Sequence, residues 1–128
     1  MIDPKGLSPW GCGTGDNPPG NSTTVVCDGN GGFDVHEGWS RSKPNPIRSC
    51  AYEHEMTHVF QILGKSPKVC RGKPKGVRVL VPSHKYKQWE CAAYKAELQC
   101  LQNSSCENEQ VKERIDFIKN QRIPKYCN

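Results

Sequence analysis

The chain has 128 residues, a length that suits one compact domain with a modest core. Hydrophobic residues make up 34% and charged residues 24%, which excludes a membrane-embedded protein and a plainly disordered one. No apolar run approaches the roughly 20 residues that a helix needs to span a bilayer.

The net charge is +5, and most of the excess lies between Lys65 and Lys87, a stretch with eight basic residues and no acidic one. Such a run can bind an anionic partner, such as nucleic acid or a bacterial envelope surface. Few aromatic residues interleave with these charges, which favours a solvated loop region instead. We therefore expect no nucleic-acid partner.

Residues 1–48 hold nine of the twelve glycines and six of the ten prolines, which predicts loops and short strands. Two turn signals, DG and NG, lie at residues 28–31 and place a hairpin near Val25 and Val26. The DGNGG stretch lacks the carboxylates and the closing glutamate of a calcium loop, so we interpret it as a turn.

The next two elements are a helix and a short strand. The helix is predicted over residues 49–63, because Ser49 can cap its start and Gly64 suits the position after its end. The strand is predicted over residues 77–81, where VRVLV precedes Pro82.

A second helix is predicted over residues 87–102 and a third over residues 106–120. Ser104 and Glu107 fit a capping box before the third helix, and Pro124 is expected to end any continuation. Its buried stripe comprises Val111, Ile115 and Ile118.

Eight cysteines are dispersed along the chain without a Cys-x-x-Cys pair, which argues against a four-cysteine zinc site. Their even number predicts up to four disulfides and an oxidising destination. Cys91 and Cys100 are nine apart on one helix, so each must reach another segment. The sequence leaves the connectivity of the set open: Cys12, Cys27, Cys50, Cys70, Cys91, Cys100, Cys106 and Cys127.

These elements predict a small α+β domain of about three helices with a short β element and a loop-rich, disulfide-stapled N-terminal half.

The segment His54-Glu55-Met56-Thr57-His58 lies within the first predicted helix. Residues four apart on a helix share a face, so the two imidazoles can bind one metal ion. Zinc lowers the pKa of a bound water towards neutrality, and Glu55 can take the proton. This pattern predicts a catalytic zinc centre. Two surface histidines on an ordinary helix, and a zinc site without catalysis, are the alternatives.

A catalytic zinc needs a third protein ligand, for which His84, Glu90 and Glu97 are candidates. Glu90 is favoured, because it would come from a second helix packed on the first, where a disulfide of Cys91 could fix its position. Glu97 lies about two turns further along nearly the same face and stays the main competitor.

Two residues are candidates for stabilising the tetrahedral intermediate. His84 lies in a loop after Pro82 and could donate a hydrogen bond to it. Tyr94 shares the face of Glu90 and could orient a ligand or stabilise the oxyanion, with core packing as the alternative. Glu53, beside His54, is interpreted as solvated.

HEMTH with the downstream ECAAY resembles the zincin metallopeptidases, in their glutamate-liganded (gluzincin-like) branch, over residues 49–101. The resemblance implies a zincin-like fold, zinc bound by His54, His58 and Glu90, and Glu55 as the general base.

The chain departs from several zincin patterns. Thermolysin-type enzymes carry ExxxD at the third ligand, whereas Tyr94 stands at the aspartate position here. The third histidine and Met-turn of metzincins are missing. Deuterolysin-like enzymes take an aspartate from GTxDxxYG after the helix, but the GTGD of this chain precedes it, so Asp16 is not expected to be a ligand.

DPKGL at residues 3–7 is similar to the DPxGL element that closes the core of Rhs-family polymorphic toxins. The resemblance implies that residues 1–7 are a remnant of this boundary and residues 8–128 a toxin domain, delivered by a bacterial secretion system. It implies a cognate immunity protein and would explain the missing signal peptide. The cysteines favour action in the periplasm of the target cell.

The leading hypothesis is a zinc metallopeptidase toxin that hydrolyses peptide bonds in a protein or peptide substrate of a target bacterium. The alternative is a disulfide-rich envelope-binding toxin module with a structural zinc site and no catalysis. A basic, nucleic-acid-directed toxin ranks last, because no nuclease constellation is found.

Overall fold

The structure is a computed structural model that describes residues 24–36, 45–104 and 108–128. It confirms the α+β class, with a two-stranded sheet and three longer helices. None of the helices in these ranges is long and apolar enough to cross a bilayer. The elements are β1 (Thr24–Cys27), β2 (Phe33–His36), α1 (Asn45–Lys65), a 3-10 turn (Ser83–Lys85), α2 (Tyr86–Gln102), α3 (Glu109–Phe117), a π-helical segment (Ile118–Arg122) and α4 (Ile123–Tyr126).

The predicted hairpin is confirmed as the antiparallel pair β1–β2. Its turn needs glycine, because Gly29 and Gly31 have φ angles of 86° and 87°, a region that L side chains rarely adopt. The carboxylate of Asp28 closes the turn by accepting hydrogen bonds from the backbone N–H groups of Asn30 and Gly32, at 2.7 and 2.9 Å. These hydrogen bonds hold the turn in one conformation and so fix the register in which β1 pairs with β2.

Residues 77–81 form less of a strand than predicted. Their pairing with β1 is a single bridge between Val26 and Arg78, flanked by hydrogen bonds from Cys27 N to Val77 O and from Val79 N to Val25 O. Beyond this bridge the chain reaches Pro82, which has no N–H to donate, and turns into the 3-10 segment. The segment nevertheless lies extended along the free edge of β1.

Helix α1 begins four residues earlier than predicted and includes Gly64. Pro46 stands in its first turn, where the missing N–H costs nothing and the fixed φ favours a helical start. Ser49 is therefore inside the helix rather than its cap, and Gly64 is helical rather than a residue after the end.

Helix α3 begins at Glu109, because the Asn108 side chain caps it by accepting from Gln110 N at 2.8 Å. The predicted capping box is therefore wrong: Ser104 Oγ is buried with no partner among the described residues, and Glu107 lies outside them. The predicted stripe is confirmed, with Val111 and Ile118 buried and Ile115 packed against them.

Pro124 does not end the helical path. The chain continues from α3 through the π-helical segment into α4, where Pro124 occupies the first turn. The prediction failed because proline is excluded from helix interiors but tolerated at helix starts, and the segment before it has already broken the α-helical register.

Helix α1 packs against the rest of the domain through two apolar clusters. One cluster joins α1 to α2, α3 and the π-helical segment, through Ile47, Cys50, Leu101, Val111 and Ile118. The other joins α1 to the hairpin, through Val25, Val59 and Ile62. Burying each large side chain stabilises the fold by about 1.5–3 kcal/mol. Between these clusters two polar residues of α1, His54 and His58, face α2.

Three disulfides lie among the described residues, and all six of their sulfurs are paired. As predicted, Cys91 and Cys100 each reach another segment. Cys12 and Cys106 lie outside the described residues. The disulfides indicate an oxidising compartment. They are Cys27–Cys70, Cys50–Cys100 and Cys91–Cys127.

Candidate metal centre

His54 and His58 lie one helical turn apart on α1 and face Glu90 of α2. All three are buried, with 7%, 4% and 8% of their surface exposed. One ligand atom from each lies within 4.8 Å of the others, so the group could bind a metal ion. The Cys91–Cys127 disulfide ties the residue beside Glu90 to the C-terminal segment.

The three side chains already converge on one point. Glu90 Oε1 accepts a hydrogen bond from His54 Nε2 at 3.3 Å and another, shorter one from His58 Nε2. Burial opposes the charge of Glu90 and raises its pKa, but the hydrogen bonds from the two histidines together with their positive charge outweigh burial and lower the pKa to about 2. Glu90 is therefore a carboxylate, the form that binds a metal ion.

Glu97 lies behind His54 rather than in the ligand group. It is fully buried and accepts a hydrogen bond from His54 Nδ1 at 2.9 Å. Arg114 of α3 donates to the same carboxylate at 2.7 and 3.2 Å. Metal-binding histidines are commonly oriented by such a carboxylate. Glu97 and Arg114 therefore fix the orientation of the His54 ring.

His58 is oriented by a different residue. Its Nδ1 donates to Gln61 Oε1 at 2.8 Å, and Gln61 Nε2 donates to the carbonyl of Trp89 at 3.3 Å. The second bond fixes which end of the amide faces the imidazole. Sequence reasoning missed Gln61, although its position three residues after His58 on a helix could have indicated it.

The protonation of the centre follows from these contacts. Burial lowers the pKa of His54, but hydrogen bonds with Glu90 and Glu97 together with the nearby negative charges outweigh burial and raise the pKa to about 9. Burial also raises the pKa of Glu55, although the neighbouring histidines offset part of this effect. A carboxylate whose pKa is moved towards neutrality is better suited to accept a proton.

A cavity of about 550 Å³ opens beside the centre. His54, His58, Glu90 and Glu55 all line it, so a metal ion held there would be reachable by a ligand. Residues 78–81, the extended segment beside β1, form another part of the wall. The arrangement therefore combines metal-binding groups, a carboxylate and space for a substrate.

The structure brings Tyr94 to the site and leaves His84 outside it. The Tyr94 ring packs edge-to-face on His54, with centroids 4.5 Å apart, and lines the cavity. Burial raises the pKa of its phenol to about 12, so the hydroxyl stays protonated. His84 is exposed on the 3-10 turn, where Lys65 Nζ donates to its Nε2 at 3.0 Å. Glu53 is exposed, as expected.

No family model, curated protein or solved structure matches the chain. The centre is therefore interpreted from its own residues and their geometry.

Replacing Glu97 with glutamine is expected to lower the affinity of the centre for a divalent metal ion by roughly 10–100-fold, because His54 loses the carboxylate that orients it. Competition with a chromophoric chelator measures this affinity. Glu113→Gln, an exposed change on α3, is the matched control and should leave affinity unchanged. Equal affinity in a folded Glu97→Gln variant would show that Glu97 does not orient the centre.

The stabilisation of the fold by a bound metal ion is expected to grow with pH. The pKa of His54 in the folded, metal-free domain is about 9, against 6.5 for a free imidazole. The hydrogen bonds that protonated His54 makes with the two glutamates therefore stabilise the metal-free fold fully below pH 6.5. This contribution is lost as the pH rises through 9. Metal binding instead needs the neutral imidazole.

With Zn²⁺ as the probe ion, the difference in melting temperature between the metal-treated and the chelator-treated domain should accordingly be larger at about pH 8.5 than at about pH 6. Differential scanning fluorimetry in matched buffers measures it. A difference that is equal at both pH values, or larger at the lower one, would contradict the contacts of His54.

Proposed function

We propose that this domain is a zinc-dependent peptidase that hydrolyses peptide bonds. The observation that carries the proposal is the convergence of His54, His58 and Glu90 beside Glu55, at an open cavity. Two imidazoles and one carboxylate are a donor set of catalytic zinc sites, which keep a fourth position open. The orientation of both histidines through Nδ1 supports coordination through Nε2.

The chemistry divides between the metal and the chain. Zinc held by His54, His58 and Glu90 would act as a Lewis acid that activates water and polarises a carbonyl. Glu55 takes the proton of the attacking water and can return it to the leaving amine. Burial of Glu55 supports the first transfer, because it raises the pKa of the carboxyl and so makes the carboxylate a stronger base.

The geometry favours catalysis over a structural zinc site. Structural sites are closed by four protein ligands. The metal-binding group found in the described part of the chain has three members, and all three line the cavity. A structural ion would also not need a carboxylate such as Glu55 beside its ligands.

We further propose that the domain is the toxin part of an Rhs-family protein, delivered to a target bacterium and active in its periplasm. The three disulfides support an oxidising destination. The DPKGL motif at residues 3–7 supports the Rhs origin and lies outside the described residues. A cognate immunity protein would then protect the producing cell.

Cleavage of a quenched-fluorescent peptide library with randomised positions tests the peptidase proposal. We expect cleavage by the purified domain, its loss on treatment with a chelator, and its recovery on adding one equivalent of Zn²⁺. Cleavage that persists in excess chelator would contradict zinc chemistry. Absence of cleavage by a folded domain shown to hold one zinc ion would contradict the peptidase assignment.

A further inference from the structure

Arg122 is a cation of the cavity wall without an ionic partner in the described ranges. It is half-buried at the end of the π-helical segment and lines the same cavity as the metal centre. Its Nε is buried and makes no hydrogen bond within the described part of the chain. Arg114, which lines the cavity too, differs because it donates to Glu97.

Aromatic rings hold the Arg122 guanidinium in place. Its central carbon lies 4.7 Å from the centroid of the Phe117 ring and 6.0 Å from that of Tyr94. Contacts with ring faces leave the N–H groups in the guanidinium plane available, because these donors point outward from the edge. The group is thus positioned by packing rather than by an acceptor.

The fold positions Arg122 through elements that sequence patterns did not predict. Ile118, fully buried, anchors the start of the π-helical segment, whose wider turn changes the direction of the side chains that follow. The Cys91–Cys127 disulfide ties the chain after α4 to α2. Tyr94 contacts both the His54 ring and Arg122, so the cation and the metal centre share one wall.

We propose that Arg122 binds a carboxylate of the substrate beside the metal centre, so that the domain prefers peptides with a negative charge close to the cleaved bond. A buried donor without an acceptor is unfavourable, and a bound carboxylate would satisfy it. The planar guanidinium matches the two oxygens of a carboxylate, which it can bind in a bidentate manner. The carboxylate is either the C-terminus of a peptide or an acidic side chain.

This proposal rests on the zinc peptidase site and deepens it, but its test requires no turnover. The probes are dipeptides whose N-terminus is acylated with a malonyl hydroxamate, a group that binds zinc and leaves the C-terminus available. The first pair differs only in its C-terminus, which is a free carboxylate in one probe and an amide in the other. The second pair are both C-terminal amides, and one carries glutamate where the other carries glutamine. Isothermal titration calorimetry with the zinc-loaded domain gives their affinities.

We expect a carboxylate-bearing probe to have an affinity at least roughly tenfold higher than that of its neutral counterpart, because it gains a charge-assisted hydrogen bond. Preference for the free C-terminus or for glutamate identifies the source of the carboxylate. Arg122→Gln should remove the preference and leave the neutral probes unchanged. Arg122→Lys should keep part of it, and Lys119→Gln, an exposed change in the same segment, should keep all of it.

Equal binding of charged and neutral probes by the wild type would overturn the role of Arg122 and leave the zinc site intact. A preference that survives in folded Arg122→Gln would do the same. Failure of every probe to bind the zinc-loaded domain would instead contradict the proposed function, because a catalytic zinc ion keeps a position open for a ligand. The wild-type comparison decides the proposal even where Arg122→Gln does not fold.

Discussion

Replacing Glu55 with glutamine is expected to abolish growth inhibition by the domain when it is exported to the bacterial periplasm. Glutamine keeps the shape of the side chain but cannot accept the proton of the attacking water. Loss of a general base lowers turnover by roughly 10²–10⁴-fold. The variant should still bind one zinc ion per chain, because Glu55 is not among the metal-binding group.

Glu53→Gln is the matched control for this experiment. Glu53 lies two residues away on the same helix and is exposed, so its replacement removes the same charge without touching the cavity. We expect full growth inhibition by this variant. Equal inhibition by wild type and folded Glu55→Gln would instead support a binding module that harms the cell without catalysis.

Replacing Glu90 with glutamine is expected to abolish stoichiometric zinc binding. The side chain keeps its size, but the two imidazoles lose the carboxylate on which both Nε2 atoms converge. Zinc content after equilibrium dialysis measures the effect. The loss of zinc affinity should exceed the roughly 10–100-fold loss expected for a residue that only orients a ligand. The Glu90→Gln variant should therefore bind zinc more weakly than the Glu97→Gln variant.

The order of zinc affinity between these two variants distinguishes a metal ligand from a residue that only orients a ligand. Both changes remove one negative charge from the same buried cluster, so a general electrostatic effect would weaken zinc binding by similar amounts. Retention of zinc by Glu90→Gln together with its loss from Glu97→Gln would reverse the assignment and make Glu97 the ligand.

The three residues of the metal-binding group could be predicted, because their positions depend on the periodicity of single helices. The spacing of His54 and His58 places both on one face, and Glu90 follows on the next helix. The orienting residues could not be predicted in the same way. The role of Glu97 depends on how α2 packs against α3, which brings Arg114 to its carboxylate.

The limits of the fold prediction have the same origin. The hairpin was predicted because DG and NG demand a particular backbone, whereas residues 77–81 carry strand-forming side chains that pair only through one bridge. The π-helical segment has no clear sequence signal, and it is this segment that brings Arg122 to the cavity. The disulfide pairs likewise follow from tertiary packing.

Proteolysis of a bacterial periplasmic extract in ¹⁸O-labelled water tests the central claim most directly. Hydrolysis of a peptide bond places one oxygen of water in each new carboxyl terminus, which mass spectrometry detects. We expect labelled new termini with the zinc-loaded wild type, and none above background with zinc-loaded Glu55→Gln. Equal labelling by both proteins, or none by a wild type shown to hold zinc, would contradict this claim.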